Sequence, residues 1–461
     1  MGRVSEDRMR RIAPWAPGAV LAAGAIVCLW LNLPGQISYD SVLQLFQGRT
    51  GVYNAWHPPV MAWMLGLFDG AVRGTGLFVL FDVVLVFGAL AAFALPAKRA
   101  PCLTTVVAAL WVLTPQLVLY PGIVWKDVLF AAAFVAGFAC LLWTARRWGN
   151  ATERWALFTC ALALLSLAAL ARQNGVVGPV FGALALGWIA WRSSDGRRLL
   201  SALAHGAAFL VASFAVVAGV SAALVSRGDG EPSRAFQVED LQIYDLAGAL
   251  QARPNLTLPH LAAADPALDR YLRTVAAPLY SPVRVDKLEQ LPELESSRAE
   301  HLKAVAAGWR DLVVRHPLLY LRLRVRAFEW VTLTPDIRSC LPVYLGIDGP
   351  DPEFTALGLH HRADVREQAL TAYVMPFIGT PVLLHLPYLL LGLLLGVKLV
   401  TRRRTGDGVV AAMLAGAGAF TASFALISIA CDYRYLYAAD LTVMAAALYV
   451  AATSPLRFAR E

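Results

Sequence analysis

The sequence predicts an all-α polytopic membrane protein with about ten transmembrane helices and an extracytoplasmic, mostly helical loop domain. Of the 461 residues, 58% are hydrophobic and only 16% are charged, and the mean hydropathy is +0.57. Soluble domains carry more charge and less apolar sequence, and disordered chains and coiled coils depart further from this composition. The apolar residues gather in runs of about 20, the length that crosses a bilayer as a helix.

Ten apolar runs have spanning length. They fall near residues 16–34, 76–96, 102–120, 126–145, 155–172, 176–191, 199–225, 374–397, 409–430 and 436–454. Residues 58–71 are apolar but too short to cross, which indicates a helix at the interface or one that re-enters the membrane. The first run follows several arginines and has no small-residue cleavage site, so we interpret it as a retained span.

The distribution of Lys and Arg predicts the sidedness. Eighteen of these cations lie in the segments on the side of the two termini, and the short segments on the opposite side hold only Arg49, Arg73, Lys126, Arg172 and Arg434. The positive-inside rule therefore predicts two cytoplasmic termini. The Arg-rich, Lys-poor usage indicates a GC-rich bacterial gene, and the predicted location is accordingly the bacterial inner membrane. The net charge of +8 fits such loops and does not call for a nucleic-acid partner.

Three parts of the chain are expected. Residues 1–225 form a module of about seven spans with a first outer loop at 35–75, residues 226–371 form the extracytoplasmic domain, and residues 372–461 form a module of about three spans. The six cysteines make no CxxC or Cys/His grouping, which predicts neither a zinc site nor a disulfide framework.

Ionisable and polar residues gather at the outer ends of the spans. Such groups are costly at membrane depth unless they are paired or face a cavity, so each is a functional candidate. They are Asp40, Trp56, His57, Lys126, Asp127, Arg172, Gln173, Asn174, Asp432 and Arg434. His205 and His385 are isolated exceptions in the cytoplasmic halves. The pattern predicts an active site on one side rather than a path across the bilayer.

Each candidate also has a structural explanation. A helix over residues 37–47 places Asp40, Gln44 and Gln47 on one stripe, although Asp40 could equally cap that helix. Trp56 is an ordinary interfacial aromatic residue. The adjacent Lys126 and Asp127 could be an interfacial pair, and residues 432–435 an interfacial ion pair with aromatic neighbours.

Three outer cations and a carboxylate together favour a substrate with a phosphate group. Arginine forks and lysine ammonium groups bind phosphate, and a carboxylate can accept a proton from an attacking hydroxyl. Asp82 and Asp440 lie in the outer halves of spans as second-layer partners or structural hydrogen bonders. His360, His361 and Asp364 could bind a metal, but a solvated loop cluster explains them better.

At these residues the chain resembles the GT-C superfamily of integral-membrane glycosyltransferases, which use polyprenyl-phosphate sugars, and within it a poorly characterised bacterial branch. The shared elements, in order, are Tyr-Asp-Ser at 39–41, Trp-His-Pro-Pro at 56–59, Trp-Lys-Asp at 125–127, Arg-x-Asn-Gly at 172–175 and Asp-x-Arg-Tyr-Leu-Tyr at 432–437. The resemblance implies a GT-C-like fold and inverting transfer of a sugar to an envelope glycan, lipid or protein on the extracytoplasmic face.

The resemblance implies that Asp40 is the catalytic base, with His57 orienting the sugar or the base. The family often has two acidic residues in this loop whereas this chain has Asp40 and Ser41, so a divalent cation as cofactor stays open. From charge and sidedness we assign the donor phosphate to Lys126, Arg172 and Arg434. The predicted substrate-binding set is Tyr39, Gln44, Trp56, Lys126, Asp127, Arg172, Asn174, Asp432, Arg434 and Tyr435.

Two other classes of protein stay open at this point. A transporter or flippase of a lipid-linked anionic substrate would have inverted repeats and polar groups near the midplane. A non-catalytic envelope protein that binds lipid phosphate would keep its function when Asp40 is replaced by Asn.

Overall fold

The computed structural model describes residues 13–53, 56–95, 100–194, 196–226, 228, 233–292, 294, 298–360 and 364–454. Over these residues the chain is helical, and its only β-structure is three isolated bridges. The arginines at positions 3–11, the cations at 98–99 and 457–460, and His361 lie outside the described residues, so the parts of the sidedness and metal predictions that rest on them concern positions that the structure does not describe.

Besides short helices of three to six residues at 259–289 and 351–356, seventeen helices form the framework of the described residues. They are α1 (Ala16–Asn32), α2 (Tyr39–Thr50), α3 (Val60–Ala71), α4 (Gly76–Ala94), α5 (Pro101–Val112), α6 (Pro115–Val118), α7 (Lys126–Arg146), α8 (Ala151–Ala171), α9 (Val177–Ser193), α10 (Arg198–Val225), α11 (Ser233–Ala252), α12 (Arg298–Arg315), α13 (Pro317–Leu333), α14 (Val365–Val374), α15 (His385–Arg402), α16 (Thr405–Ile427) and α17 (Tyr437–Thr453). Short helical turns connect them, among them the 3₁₀ turns Gln173–Val176 before α9 and Tyr433–Leu436 before α17.

The all-α polytopic architecture is confirmed. Among the described residues, eight helices are long and apolar enough to cross a membrane, or nine when α5 and the following segment to Gly122, bent by 75°, count as one span. The sequence predicted about ten, and the difference includes α1, which has 17 residues. The predicted boundaries of the run at 374–397 were wrong, because the chain breaks after α14 and the spanning helix α15 begins only at His385.

Two spans lie at the centre of the bundle. In the most apolar 18-residue stretch of each span, 83% of the residues are buried in α7 and 89% in the Tyr433–Thr453 span, but only 17% in α10. A helix that is apolar on every face is stable only inside such an assembly or in lipid. Since α7 begins with Lys126 and the turn before α17 contains Arg434, the two central spans bring these cations to the same end of the bundle.

A second apolar core lies within residues 243–327, which include the second half of α11, all of α12 and most of α13. Arg324 joins this core to the bundle, because its guanidinium pairs with Asp245 at 3.0 Å and donates to the carbonyl oxygens of Leu426 and Ser428 at the end of α16. The predicted domain boundaries at 225/226 and 371/372 stay a prediction. Beyond that core, Val331, Leu357 and Leu370 pack with the bundle instead.

The hairpin of α2 and α3 is unusually close-packed. A Cβ atom on Gly48 would lie 2.4 Å from the carbonyl oxygen of Ala62, and one on Gly66 would lie 2.3 Å from the carbonyl oxygen of Gly48. Arg49 adds two 2.9 Å hydrogen bonds to the buried Asp69 of α3. Glycine at both positions therefore permits the backbone contact that fixes α2, the helix carrying Asp40.

One sequence-based expectation about cysteine is wrong. Cys340 and Cys431 form a disulfide with an S–S distance of 2.11 Å across 91 residues of sequence. The pairing joins the segment after α13 to the connection between α16 and α17. Spacing along the chain carries no signal for such a bond, since the two residues meet only through the fold.

Candidate functional site

The carboxylate of Asp40, in the first turn of α2, is held from two sides. Arg434 donates from Nη1 to Oδ2 over 2.9 Å, and His57 Nε2 lies 3.7 Å from Oδ1. Ser38 is the N-cap residue of α2, so the alternative in which Asp40 caps this helix is wrong. The Asp40 side chain is 28% exposed, which leaves room for a second molecule to approach it.

His57 connects Asp40 to Lys126. Lys126 Nζ lies 2.6 Å from His57 Nδ1, and an ammonium group can only donate a hydrogen bond. Nδ1 therefore accepts, and the ring hydrogen is on Nε2, the nitrogen that faces Asp40. Lys126, His57 and Asp40 therefore form a row, in which Lys126 donates to His57 and the Nε2 hydrogen of His57 faces the Asp40 carboxylate.

The surroundings lower the pKa values of both Asp40 and His57. Burial raises the pKa of Asp40, but the nearby His57 imidazole and the charges of Arg434 and Lys126 outweigh it and hold this pKa well below its usual range. Burial and the charge of Lys126 lower the pKa of His57 to about 4 against the opposing effect of Asp40. At neutral pH Asp40 is thus a carboxylate and His57 is an uncharged imidazole.

A second ion pair lies beside the first. Arg172, which follows α8, is in direct contact with Asp127 in the first turn of α7, and both side chains are buried. The Arg172 guanidinium lies 5.3 Å from the ring centres of both Phe424 and Tyr435. Rings and carboxylate together hold the guanidinium on several sides, as expected for a cation–π arrangement.

Arg434 is shared among three carboxylates. Besides Asp40, it pairs with Asp432 at 3.0 Å, and its Nε lies 3.9 Å from Asp127 Oδ2. Its guanidinium also lies 5.0 Å from the ring centre of Trp125. We call the linked set the ionic cluster; it comprises Asp40, His57, Lys126, Asp127, Arg172, Asp432 and Arg434.

The charges of the ionic cluster balance. With His57 uncharged, three carboxylates face three cations, and the cations are the ones predicted to bind phosphate. An anion entering the cluster must therefore compete with a carboxylate for at least one cation. Arg434 can exchange a carboxylate partner for an incoming anion more easily than Arg172 can. The side chain of Arg434 is 17% exposed, whereas that of Arg172 is 8% exposed and lies between aromatic rings.

A cleft of about 650 Å³ adjoins the cluster. Its polar lining residues are Arg172, Gln173, Ser221, Gln237 and Tyr435, and its apolar lining includes Val217, Leu224, Leu241 and Ile427 of α10, α11 and α16. The volume is in the range of small-molecule sites. An elongated apolar molecule with an anionic end suits this combination of walls and charge.

The remaining predicted residues lie at varied distances from the cluster. Tyr39 is 55% exposed at the start of α2, and Gln44, one turn after Asp40, is buried at 2%. Trp56 contributes its backbone carbonyl, which accepts from the side chain of Gln237. Asn174 donates to Ser423 of α16 over 2.8 Å, so its observed role is to attach the turn before α9.

Sequence reasoning missed three participants. Trp125 stacks under Arg434 and donates from Nε1 to Ser38 over 2.8 Å, and Gln237 links Trp56 to Gln173. The third is His385, which was expected to be isolated and at the end of its span away from the candidate site; both expectations were wrong. It begins α15 and lies 3.0 Å from both carboxylate oxygens of Asp440. The misplaced span boundary hid this pair.

The other isolated or metal-related residues have local partners. His205 Nδ1 lies 2.8 Å from the carbonyl oxygen of Ser201, one turn before it on α10. Asp364 caps α14 by accepting from the amides of Arg366 and Glu367. Over the described residues, no group of three or more His, Cys, Asp or Glu side chains could hold a metal ion.

Comparisons with known proteins place few constraints on the chain. No family model matches the sequence, and no curated protein matches it. The structure is similar to that of the archaeal oligosaccharyltransferase AglB from Archaeoglobus fulgidus in complex with an inhibitory peptide and a dolichol-phosphate, with a TM-score of 0.40 and 13% identity, over 95% of this chain and 50% of that chain. The chain spans about half the length of that protein.

Proposed function

We propose that the protein is a membrane glycosyltransferase of the GT-C type that transfers a sugar from a polyprenyl-phosphate donor to an envelope acceptor, with inversion at the anomeric carbon. One observation carries the proposal. A carboxylate that can accept a proton, Asp40, belongs to a cluster of three cations, and one of those cations, Arg172, also lines a large apolar cleft.

The cleft fits the donor lipid. A polyprenyl chain is apolar and elongated, and the walls formed by α10, α11 and α16 would remove it from the bilayer without exposing it to water. Arg172 and Tyr435 are among the polar residues that line the cleft, and the phosphate would bind beside them. Arginine presents a planar fork that binds two phosphate oxygens at once, and Arg434 is close enough to bind the same group.

The chemistry requires one base and one leaving group. Asp40 accepts the proton of an acceptor hydroxyl, whose oxygen attacks the anomeric carbon from the face opposite the phosphate. The bond between that carbon and the phosphate oxygen breaks, and polyprenyl phosphate leaves with the electron pair. Arg172, Arg434 and Lys126 stabilise the negative charge that appears on the leaving phosphate.

The ion pair between Arg434 and Asp40 regulates the base in this account. While Arg434 donates to it, Asp40 has a low pKa and is a weak base. A donor phosphate that draws Arg434 away removes one of the charges lowering the Asp40 pKa, so the carboxylate becomes more basic when the donor is present. His57 keeps the carboxylate oriented by its Nε2 hydrogen.

We further propose that the site faces away from the cytoplasm. The distribution of Lys and Arg supports this orientation. The Cys340–Cys431 disulfide supports it as well, since such bonds persist in oxidising compartments. The acceptor would be selected by residues 226–371, which adjoin the cluster through contacts such as that of Gln237 with Trp56.

A transporter would differ in the position of its polar residues. Transporters bind substrate near the bilayer midplane between helices that are broken in both halves. Here the ionic cluster lies where α2, α7 and α17 begin, and Lys126 and Arg434 enter it from the same end of the bundle. This arrangement favours chemistry at one surface over passage through the bundle.

The test is a comparison of envelope lipids and glycans in strains that differ only in this gene. A deletion strain is complemented with the wild type, with Asp40→Asn, or with Asp336→Asn as a matched control, because Asp336 is a half-exposed carboxylate that pairs with Arg338 outside the cluster. We expect a polyprenyl-phosphate sugar to accumulate in the deletion and Asp40→Asn strains only.

Two outcomes contradict the proposal. Full complementation by Asp40→Asn at normal expression removes the base and favours a non-catalytic protein that binds lipid phosphate. Accumulation of a complete lipid-linked product on the wrong side of the membrane, with no missing sugar linkage, favours a flippase.

A further inference from the structure

A buried polar network lies beneath the ionic cluster and has no role in the chemistry above. Its centre is the pair of His385, the first residue of α15, and Asp440, in the first turn of α17. The two side chains are 1% and 0% exposed. Nδ1 of His385 lies 3.0 Å from each oxygen of Asp440. A carboxylate accepts and does not donate, so Nδ1 carries the hydrogen.

Tyr433 joins this pair to the site. Its hydroxyl donates to Asp440 Oδ2 over 2.7 Å and accepts from Gln116 Nε2, also over 2.7 Å. Its ring lies on the imidazole of His385, with the ring centres 4.0 Å apart. Tyr433 is thus held through both its ring and its hydroxyl.

Because Tyr433 and Arg434 are neighbours in one short turn, holding Tyr433 also fixes the direction in which Arg434 points. Tyr433–Leu436 is a 3₁₀ turn, in which there are about three residues per turn, so successive side chains point about 120° apart. Tyr433 points into the bundle toward Asp440, Arg434 reaches Asp40, and Tyr435 lies against Arg172. Rotation of this turn would move Arg434 and Tyr435 together.

The network is also attached on its far side. Gln116 Nε2 donates to the carbonyl oxygen of Val382 over 2.5 Å, and the backbone carbonyl oxygen of Gln116 accepts from the hydroxyl of Tyr437 over 3.1 Å. The network therefore connects the bent segment after α5, the start of α15 and the start of α17. Ionisable groups inside a membrane protein are costly unless they are paired, and here the pair holds the turn that carries Arg434.

We propose that His385, Asp440 and Tyr433 are positioning residues that set the placement of Arg434 and Tyr435 for the donor phosphate. The inference rests on the proposed function, because it assigns a purpose to the placement of Arg434. None of the three needs to touch the substrate. Loss of the Tyr433 hydroxyl releases the turn while it leaves every member of the ionic cluster in the sequence.

The test uses Tyr433→Phe, with Tyr449→Phe as its matched control. Both tyrosines belong to the Tyr433–Thr453 span, and each substitution removes a hydroxyl that donates to a buried aspartate, Asp440 for Tyr433 and Asp407 of α16 for Tyr449. Tyr449 donates to Asp407 over 2.9 Å at the opposite end of that span. Both variants are expected to lower the melting temperature to a similar degree. A difference between them in any other measurement is therefore due to the place of the lost hydrogen bond in the fold and not to a general loss of stability.

Two measurements on these variants do not depend on enzymatic turnover. The first is hydrogen exchange of the amides of residues 432–436, which we expect to be at least tenfold faster in Tyr433→Phe and unchanged in Tyr449→Phe. The second is the rise in melting temperature caused by polyprenyl phosphate in nanodiscs, which we expect Tyr433→Phe to reduce. Equal exchange at 432–436 in the two variants overturns the positioning role, whether or not the protein proves to be a glycosyltransferase.

A third measurement applies once turnover is established. In Tyr433→Phe, kcat/KM for the donor is expected to fall about 10- to 100-fold. The acid limb of its pH profile should move to higher pH, because Asp40 loses part of its contact with Arg434 while it keeps His57 and Lys126 as partners. The other charged groups around Asp40 are Asp127, Arg172 and Asp432. An unchanged limb and unchanged kcat/KM in folded protein contradict the inference. If Tyr433→Phe does not fold, Asp440→Asn, which keeps the side-chain shape, takes its place with the same expected outcomes.

Discussion

Arg434 donates a 2.9 Å hydrogen bond to Asp40 across 394 residues of sequence. The same arginine approaches Asp127 and Asp432, so one guanidinium connects the first helix of the candidate site to its last. This contact keeps Asp40 ionised while it also weakens Asp40 as a base. The behaviour of the site therefore depends on what happens to the contact when an anionic ligand arrives.

Replacement of Arg434 by Met should raise the pKa of Asp40 toward its ordinary value of about 3.9, because one of the charges that lower it is removed. The pair contributes stability above the ordinary pKa of aspartate, and this contribution is lost as the pH falls through the lower folded-state pKa. The pH dependence of kcat/KM for the donor measures the shift. Arg338→Met, which removes an exposed arginine outside the cluster, should leave the limb in place; an unmoved limb in Arg434→Met would show that the contact does not tune Asp40.

His57 should titrate with a midpoint near pH 4, followed by NMR of protein labelled at histidine. Burial and the charge of Lys126 keep the imidazole uncharged, so Lys126→Met should move this midpoint upward. His57→Ala should lower kcat more than it raises the donor KM, since His57 contacts the base. A wild-type midpoint at the ordinary value of about 6.5 would contradict the arrangement of Lys126, His57 and Asp40.

Arg172→Met should both destabilise the protein and weaken donor binding, and a second substitution separates the two effects. The single variant leaves the buried Asp127 without its closest partner and with only the more distant Arg434, and breaking such a buried pair costs about 3–5 kcal/mol. Arg172→Met combined with Asp127→Asn should recover most of the unfolding free energy but not the binding of polyprenyl phosphate. If the double variant binds the lipid as the wild type does, Arg172 does not hold the phosphate.

Removal of the disulfide should loosen the connection between α16 and α17. Cys340→Ser and Cys431→Ser are each expected to lower the unfolding free energy by about 2–4 kcal/mol and to reduce donor binding, because Cys431 is adjacent to Asp432 in the ionic cluster. Denaturant unfolding and lipid binding measure the two effects. Cys102→Ser, which alters an exposed free cysteine, is the control; equal behaviour of all three variants would exclude a structural role for the bond.

Part of the site could be predicted because charge stands out in apolar sequence. Lys126, Arg172 and Arg434 are cations at the ends of apolar runs, where desolvation makes an unpaired charge costly, and their shared side followed from counting spans. The structure brings them together with Asp40 through contacts that connect residues up to 394 positions apart. The all-α membrane architecture could also be predicted from the sequence, since apolar runs of about 20 residues indicate helices of spanning length.

Other features needed three-dimensional information. The role of His385 was missed because hydropathy placed a continuous span over 374–397, whereas the chain breaks and α15 starts at His385 itself. Asn174 was grouped with the cations by position along the chain, but its amide points to Ser423. Neither the Cys340–Cys431 bond nor the contact of Gln237 with Trp56 leaves a pattern in the sequence, because both join segments by packing alone.

The central claim is tested most directly by sugar transfer in vitro. The lipid that accumulates in the deletion strain is supplied to purified protein in nanodiscs together with a membrane fraction as acceptor, and released polyprenyl phosphate is measured. We expect release by the wild type and by Asp336→Asn, and a loss of at least 100-fold in Asp40→Asn. Equal release by Asp40→Asn, from protein of the same melting temperature, would contradict it.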